Sequence, residues 1–222
     1  VVTIASLPLA DELPIHRVPL GPREVSWRAT APHELYWIEA LDGGNPVAEA
    51  DFRDRLMRLE APFTGEPGEV FKAEHRIADW DNWGAEGGTV MLIQYERIRR
   101  WAYAWLLDVD NGDARLWYDL NIGDRYNSPG SPLTRPLTNG ERVLHQKGDA
   151  VFFSGSGATD EGDRPFLDLR SMETGRAQRL FRCDPERYEY FVAFAGDGDR
   201  FVMSSESEVD VPNYYLASLG KK

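Results

Sequence analysis

Short runs in which apolar and polar residues alternate recur along the chain, and turns rich in Gly, Pro, Asp and Asn separate them. Runs such as Glu34–Ala40, Thr89–Tyr95 and Trp101–Asp108 have the length and the alternation of β-strands. The period of amphipathic helices, about 3.6 residues, is nearly absent. The best helix candidate, Ala48–Leu59, is interrupted by charges and fits a loop followed by a strand equally well. The pattern therefore predicts an all-β fold.

The predicted strands form repeated units, whose first strands carry Trp27, Trp80, Thr134 and Phe191 at comparable places. These residues are 53, 54 and 57 positions apart. Propeller repeats with four strands per blade are slightly shorter, at ~40–50 residues. The first two units have four predicted strands each: Val25–Arg28, Glu34–Ala40, Arg55–Leu59 and Glu69–Ala73, then Ile77–Trp83, Thr89–Tyr95, Trp101–Asp108 and Ala114–Asp119.

The third unit follows a long polar connection, Asn121–Pro132, and contains one strand more than the four-stranded template. Its strand register is therefore left open. Turn sequences such as Thr138–Glu141 and Glu173–Gly175 separate its strands, because Gly and Asn tolerate the backbone angles of tight reversals. The predicted strands are Leu133–Leu137, Arg142–Gln146, Ala150–Ser154, Phe166–Leu169 and Ala177–Arg182.

The two ends of the chain are complementary. A lone apolar strand is predicted at Val1–Leu7, and three strands are predicted at Glu189–Ala195, Arg200–Ser205 and Asn213–Leu219. One strand and three strands complete a single blade, and pairing them would remove exposed sheet edges. We therefore predict one β-propeller domain over residues 1–222, or a piece of a propeller, with about four blades. The blades are expected near 25–76, 77–120, 133–183, and 189–219 plus 1–7.

Composition narrows the classes of function. The chain has 222 residues, enough to bury a core, and its net charge of −12 argues against broad nucleic-acid binding. Cys183 is the only cysteine, so no internal disulfide forms, and we interpret it as an ordinary residue at a strand end. No stretch approaches the ~18 apolar residues of a membrane span. No basic-then-apolar signal segment is recognised, and the compartment is left open.

Motifs for catalysis or metal binding are weak. A serine hydrolase of the α/β type needs a G-x-S-x-G turn, and the nearest match, Ser154–Gly157, has Ser in the first place. We interpret it as a flexible loop. The four histidines lack the spacing of a helical zinc pair. Asp108–Asp113 resembles a calcium loop only faintly and is better explained as a hairpin turn. No catalytic residue, metal or cofactor is predicted.

The best candidate binding residues are basic. Arg97, Arg99 and Arg100 form the densest basic cluster of an acidic chain, and convergent guanidinium groups bind carboxylates in bidentate fashion. The alternative is a solvated hairpin loop that pairs with neighbouring acids. Arg125 with Tyr126 is a second, weaker candidate. A separate set of aromatic residues, Trp80, Trp83 and Trp101, is expected to pack between blades rather than to bind a ligand.

A series of short motifs suggests a family. The runs Gly21–Arg28 and Tyr36–Gly44 resemble the N-terminal β-propeller of the prolyl oligopeptidase family of serine peptidases, closest to its glutamyl endopeptidase-like branch. The resemblance extends from about Val1 to Leu219, and its order and number of motifs make it fairly specific. Further motifs are Ala61–Phe63, Arg99–Trp101, Asp124–Tyr126, Glu161–Phe166 and Pro212–Tyr215.

The resemblance implies that the propeller caps an α/β-hydrolase domain and filters peptides by size. In that family the Ser-Asp-His triad lies in the hydrolase domain, C-terminal to the propeller. This chain stops before such a domain, so no catalytic residue can be carried over. Intact propellers of the family also have more blades than four units supply.

Three hypotheses follow. The first is the substrate-gating propeller of such a peptidase, non-catalytic by itself, with the hydrolase domain and peptides as partners. The second is a free-standing propeller that binds proteins or peptides, closed by Val1–Leu7 against Asn213–Leu219. An open arc would instead expose apolar blade faces and form a homodimer. The third is an enzyme that uses paired carboxylates in a propeller channel, as some glycosidases do.

Overall fold

The structure is a computed structural model that describes Thr3, Ser6, Leu7, Leu9, Asp11, and residues 13–196 and 198–219. These residues form twenty β-strands and no α-helix, so the predicted all-β fold is confirmed. Among them, no helix has the length and apolar character needed to cross a membrane. The predicted strand Val1–Leu7 lies mostly outside the described residues.

The chain divides into two compact units. Unit 1 comprises Val1–Asp119 and Pro136–Val143, and unit 2 comprises Leu120–Arg135 and Leu144–Lys222. Each unit is built from antiparallel sheets of short strands that follow one another in sequence. Such meanders suit a chain whose turn residues recur every few positions.

Unit 1 contains two four-stranded sheets, ordered β1-β2-β3-β4 and β5-β6-β7-β8. All eight strands predicted for the first two units are present, with ends that differ by a few residues at most. The stretch that fitted either a helix or a loop plus strand is a loop followed by β3. The strands are β1 (Arg23–Trp27), β2 (Glu34–Ala40), β3 (Asp54–Glu60), β4 (Gly68–Ala73), β5 (Arg76–Trp83), β6 (Thr89–Glu96), β7 (Trp101–Asp108) and β8 (Asp113–Asn121).

Aromatic side chains fill the core of unit 1. Trp80 and Trp83 are buried beside Tyr36, with ring centroids 6.3 and 5.2 Å from the tyrosine ring. Their predicted packing between the first two sheets is confirmed. Trp101 differs from the prediction, because its ring is only partly buried and its Nε1 donates a hydrogen bond to Asp119, 2.7 Å away. It sits at the start of β7, where a polar partner is within reach.

A buried ion-pair network also connects the strands of unit 1. Asp54 has no solvent-exposed side-chain surface, and its carboxylate accepts hydrogen bonds from Arg23, from Arg76 and from the backbone N–H of Ile77. Arg76 also donates to Asp42, so one guanidinium group bridges two carboxylates. Because these residues lie on β1, β3 and β5 and in the turn after β2, the network joins the two sheets.

Unit 2 carries the remaining strands, except that Pro136 of one short strand and Arg142 and Val143 of the next belong to unit 1. Its larger sheet is ordered β12-β13-β16-β17, with β9 also paired to β13, and its last sheet is ordered β18-β19-β20. The pairs β10-β11 and β14-β15 are small ribbons. The strands are β9 (Ser131–Pro132), β10 (Thr134–Pro136), β11 (Arg142–Leu144), β12 (Gln146–Lys147), β13 (Ala150–Gly155), β14 (Ala158–Thr159), β15 (Gly162–Asp163), β16 (Phe166–Ser171), β17 (Ala177–Arg182), β18 (Tyr188–Ala195), β19 (Arg200–Glu206) and β20 (Asn213–Ser218).

The observed strand pairing explains the extra strand in the third predicted unit. The first predicted strand corresponds to β10, which pairs with β11 in a separate ribbon and not with the larger sheet. The predicted run Arg142–Gln146 is divided between β11 and the short β12, and only β12 joins β13. Four strands therefore follow one another in that sheet, in agreement with the template.

Candidate functional site

The predicted arginine cluster lies in the tight turn between β6 and β7. Residues 97–100 are all exposed, and Arg100 has a positive φ of 53°. Arg99 bonds within its own hairpin, because its Nη1 donates to the Glu96 carboxylate at 3.3 Å and to the Tyr103 hydroxyl at 3.2 Å. Its guanidinium group also stacks 5.3 Å from the Trp101 ring. Arg99 thus pairs with a neighbouring acid, as the solvated-hairpin alternative expected.

The other two arginines of the turn are more open to a ligand. Nη2 of Arg97 lies 3.2 Å from Nε2 of His16, at the surface. The guanidinium group of Arg100 makes no hydrogen bond or ion pair with the described part of the chain. The binding role of Arg97, Arg99 and Arg100 therefore stays a prediction, and Arg97 and Arg100 are its better candidates.

Beneath this turn lies a polar cluster that the sequence did not reveal. The Tyr103 hydroxyl donates a 2.8 Å hydrogen bond to Glu96, and the His75 ring stacks on the Tyr103 ring at 5.1 Å. Burial and the hydrogen bond to the Glu96 carboxylate raise the pKa of Tyr103. The cluster fixes the side chain of Glu96, which in turn holds Arg99.

The second predicted pair lies in unit 2. Nη2 of Arg125 is 3.2 Å from an oxygen of Asp163 in β15, and both groups are at the surface. Tyr126 is 64% exposed. Asp124, two residues before Tyr126, stabilises the turn by accepting hydrogen bonds from the backbone N–H and the side chain of Asn127. Arg125 and Tyr126 remain an accessible predicted pair, in a different unit from the arginine turn.

Unit 1 also contains a small acidic pocket that the sequence pattern does not indicate. Glu24 of β1 and Asp79 and Asp81 of β5 line a cavity of about 250 Å³ together with Ser26. Both strands bulge there, and Glu24 and Asp81 have positive φ angles of 51° and 58°. We call these four residues the acidic pocket. The only sequence signal is that Asp79 and Asp81 flank Trp80 in a strand whose apolar and polar residues otherwise alternate.

Desolvation dominates the electrostatics of the acidic pocket. Burial raises the pKa of Glu24, Asp79 and Asp81 above the ordinary values, and repulsion among the carboxylates adds to the shift of Glu24 and Asp81. The Ser26 hydroxyl donates a 3.2 Å hydrogen bond to Asp81, which opposes this shift. The pocket therefore concentrates negative charge that the fold balances only in part.

The remaining sequence motifs have structural roles. Cys183 follows β17 and is buried, and its sulfur accepts the N–H of Glu189 at 3.1 Å, so the strand-end interpretation is confirmed. Burial raises the pKa of its thiol. Asp110, in the turn interpreted as a hairpin, receives two hydrogen bonds from Arg28, at 2.7 and 2.8 Å. This pairing lowers the pKa of Asp110.

The run Ser154–Gly157 is not the flexible loop that was predicted. Ser154 and Gly155 end β13, and a Cβ on Gly155 would lie 2.6 Å from the Phe166 ring. Gly157 has a φ of +62°, and a Cβ there would lie 2.2 Å from the backbone oxygen of Arg164. The glycines are thus required by a close-packed corner. Among the described residues, no group of three His, Cys, Asp or Glu side chains is placed to hold a metal ion.

The consecutive four-stranded antiparallel sheets define the class of the molecule as an all-β protein of β-propeller type. No family model matches the chain. Two proteins named probable glutamyl endopeptidase, chloroplastic, match 96% of it: one from Oryza sativa subsp. japonica with 32% identity and one from Arabidopsis thaliana with 31% identity. The chain spans about a quarter of their lengths, 25% and 24%. The resemblance to the glutamyl endopeptidase-like branch of the prolyl oligopeptidase family is confirmed over that segment.

Three solved structures with a similar chain trace are at most 15% identical to this chain. The β-propeller domain of the trilobed protease from Pyrococcus furiosus is 11% identical, with a TM-score of 0.47 over 92% of this chain and 57% of that one. A prolyl endopeptidase is 10% identical, with a TM-score of 0.46 over 90% of this chain and 28% of that one. TolB from Acinetobacter baumannii is 15% identical, with a TM-score of 0.42 over 86% of this chain and 40% of that one.

Proposed function

We propose that this chain is the substrate-gating part of the propeller of a prolyl oligopeptidase-family serine peptidase and has no peptidase activity by itself. The observation that carries the proposal is the match of 96% of the chain to probable glutamyl endopeptidases, over only a quarter of their length. On this proposal the partner is an α/β-hydrolase domain elsewhere in the longer protein. The propeller shapes the path by which peptides reach that domain.

The charges of unit 1 suggest how such a gate would sort peptides. The exposed guanidinium groups of Arg97 and Arg100 offer hydrogen-bond donors for acidic side chains. The acidic pocket of Glu24, Ser26, Asp79 and Asp81 would repel the same side chains. A peptide with acidic residues would therefore be drawn to the arginine turn and kept away from the acidic pocket.

The first experiment tests the lack of activity. The chain is incubated with glutamyl and prolyl peptide substrates and, separately, with a fluorophosphonate that labels activated serines. We expect neither turnover nor covalent labelling, because Ser154 and Ser156 lie at a packed corner and not on a nucleophile turn. Labelling that a Ser154→Ala variant abolishes would contradict the proposal.

A second experiment tests the arginine turn. Binding of an acidic peptide is measured for the chain, for an Arg97→Gln/Arg100→Gln double variant, and for Arg176→Gln, an exposed arginine of unit 2, as the control. We expect the double variant to bind about tenfold more weakly, since charge-assisted hydrogen bonds are lost. Equal affinity of all three proteins for the peptide would show that the arginine turn does not bind acidic peptides.

A free-standing binding module is the second candidate, and the last sheet favours it. β20 is the outer strand of a three-stranded sheet, and its Tyr214 and Leu216 side chains are 71% and 58% exposed. On this alternative the edge of β20 is closed by residues 1–7 or the sheet meets a second copy of the chain. Deleting residues 1–9 should then unfold the closed form cooperatively, whereas an unchanged melting temperature would exclude closure.

A further inference from the structure

A long groove runs along one face of the last sheet of unit 2. Two adjoining cavities of about 810 and 520 Å³ both include Glu189 and Met203 in their walls. The register of β19 and β20 pairs Phe201 with Ala217 and Met203 with Tyr215. Alternate residues of a strand share a face, so these side chains form a continuous floor. The floor extends over about five residues of each strand, or roughly 14 Å, which suits an extended peptide.

Three arginines line the Ala217 end of this groove. Nε and Nη2 of Arg164 both donate to the backbone oxygen of Cys183, at 3.2 and 2.9 Å. Arg179 is held by the Asp168 carboxylate and stacks 4.3 Å from the centre of the Phe166 ring. These contacts fix two guanidinium groups, and each keeps further N–H donors.

The third arginine, Arg182, is the unpaired one. Its exposed guanidinium group makes no hydrogen bond or ion pair with any described residue. The same wall holds three guanidinium groups and only two carboxylates, those of Asp184 and Glu189. Neither carboxylate forms an ion pair with Arg182, and Glu189 lies 3.9 Å from Arg187 instead. One end of the groove thus presents positive charge in a chain whose net charge is −12.

The other end of the groove is less charged. Arg187 there is neutralised by Asp210, 2.8 Å away. Val209, Val211 and Tyr215 are exposed around it and offer apolar surface. The groove therefore combines a cationic end with an apolar end, separated by the length of a few extended residues.

We propose that this groove, which we call the Arg182 groove, binds an extended peptide through a carboxylate on Arg182. Arg164 and Arg179 stand beside the carboxylate, and apolar side chains of the peptide lie near Tyr215. Guanidinium groups match carboxylates in bidentate geometry, which favours this ligand over a neutral one. The carboxylate comes from an acidic side chain or from a peptide C-terminus. The site goes beyond the gating proposal and requires no hydrolase domain.

Three synthetic peptides test the proposal by calorimetry on the whole chain. All are N-acetylated valine-rich hexapeptides: one with an internal Glu and an amidated C-terminus, one with Gln and a free C-terminus, and one with Gln and an amidated C-terminus. We expect the neutral peptide to bind at least about tenfold more weakly than one or both of the others. The peptide that binds identifies the source of the carboxylate. Equal binding of all three, or no binding of any near 1 mM, would overturn the proposal.

Variants then locate the binding site. Arg182→Gln should weaken carboxylate binding about tenfold, Arg182→Lys should retain part of it, and the control Arg176→Gln should bind as the parent does. Circular dichroism shows whether each variant is folded. If Arg182→Gln does not fold, the partial loss of binding expected for Arg182→Lys tests the proposal instead. An equal loss with Arg176→Gln would refute the assignment. The Arg97→Gln/Arg100→Gln variant should retain the binding that Arg182→Gln removes, even if it loses the separate binding at the arginine turn that the gating proposal expects, so each proposal can fail without the other.

Discussion

Asp54 is a buried carboxylate whose charge is balanced by Arg23, by Arg76 and by the backbone N–H of Ile77. Removing the carboxylate leaves Arg23 charged and without its ion-pair partner in a region that excludes water, while Arg76 keeps its bond to Asp42. We predict that Asp54→Ala lowers the free energy of unfolding by about 3–5 kcal/mol. Urea denaturation measures this loss.

The matched control for that prediction is Asp113→Ala, at the start of β8, where the aspartate is exposed. It should change the free energy of unfolding by less than about 0.5 kcal/mol. If the two variants had the same stability, the network would not support the contact between the sheets.

Asp81 is the opposite case, a carboxylate that the fold desolvates without an arginine partner. Its pKa is raised, chiefly by burial, so the folded chain binds the proton more readily than the unfolded chain. Stability therefore increases as the pH falls through this raised pKa, and ionised Asp81 destabilises the fold at neutral pH. Asparagine also tolerates the positive φ of 58° at this position.

We therefore predict that Asp81→Asn stabilises the chain at pH 7, by less than about 1 kcal/mol because solvent reaches the carboxylate. The difference between variant and parent should shrink as the pH falls. It should vanish below the ordinary pKa range of aspartate, where both folded and unfolded parent are protonated. Melting temperatures between pH 3 and 8 measure this, and a variant less stable than the parent at pH 7 would contradict the prediction.

Among the secondary-structure elements, the corner after β13 depends on glycines for its backbone conformation and close packing. Gly157 has a φ of +62°, and any side chain there would meet the backbone oxygen of Arg164. We predict that Gly157→Ala costs about 1–3 kcal/mol of stability, because the corner must open to admit a methyl group. Gly65→Ala is the control, since no atom lies within 4 Å of the position of its Cβ. Comparable losses in the two variants would mean that the corner is not close-packed.

Strands could be predicted well where the alternation of residue types and the turn-forming residues indicate the same strand ends. β7 was predicted at its observed bounds, because its aromatic and small residues alternate and a turn with Asn and Gly follows. The bulge in β5 could not be predicted, since nothing local marks Asp81 as a residue with positive φ. The pairing of β10 with β11 was also missed, because partner choice depends on tertiary packing and not on the strand's own pattern.

The candidate sites were harder to predict for the same reason. The sequence identified the arginines of residues 97–100, which are adjacent in the chain. It missed the Arg182 groove, because Arg164, Arg182 and Met203 come from separate segments that only the fold brings together. It likewise missed the acidic pocket, which depends on bulges in two strands.

In the whole molecule, one face of the last sheet exposes apolar side chains that another protein surface could cover. It is the face opposite the floor of the Arg182 groove. Tyr190 and Tyr214 both pair with Ser204 across the sheet, and Leu216 pairs with Val202, so these side chains share a face. Tyr190, Tyr214 and Leu216 are 40%, 71% and 58% exposed. A contiguous apolar face of this kind favours association with another surface.

On the free-standing alternative, in which the last sheet meets a second copy of the chain, we predict that a Tyr214→Glu/Leu216→Glu double variant weakens self-association at least about tenfold. The introduced charges would have to be buried without partners in the contact, whereas each is solvated in the monomer. Sedimentation at several concentrations gives both association constants. Val47→Glu is the control, because Val47 is 85% exposed in unit 1 and lies outside this face. A parent chain that sediments as a monomer at every concentration would refute self-association, and an equal effect of Val47→Glu would show that the contact lies elsewhere.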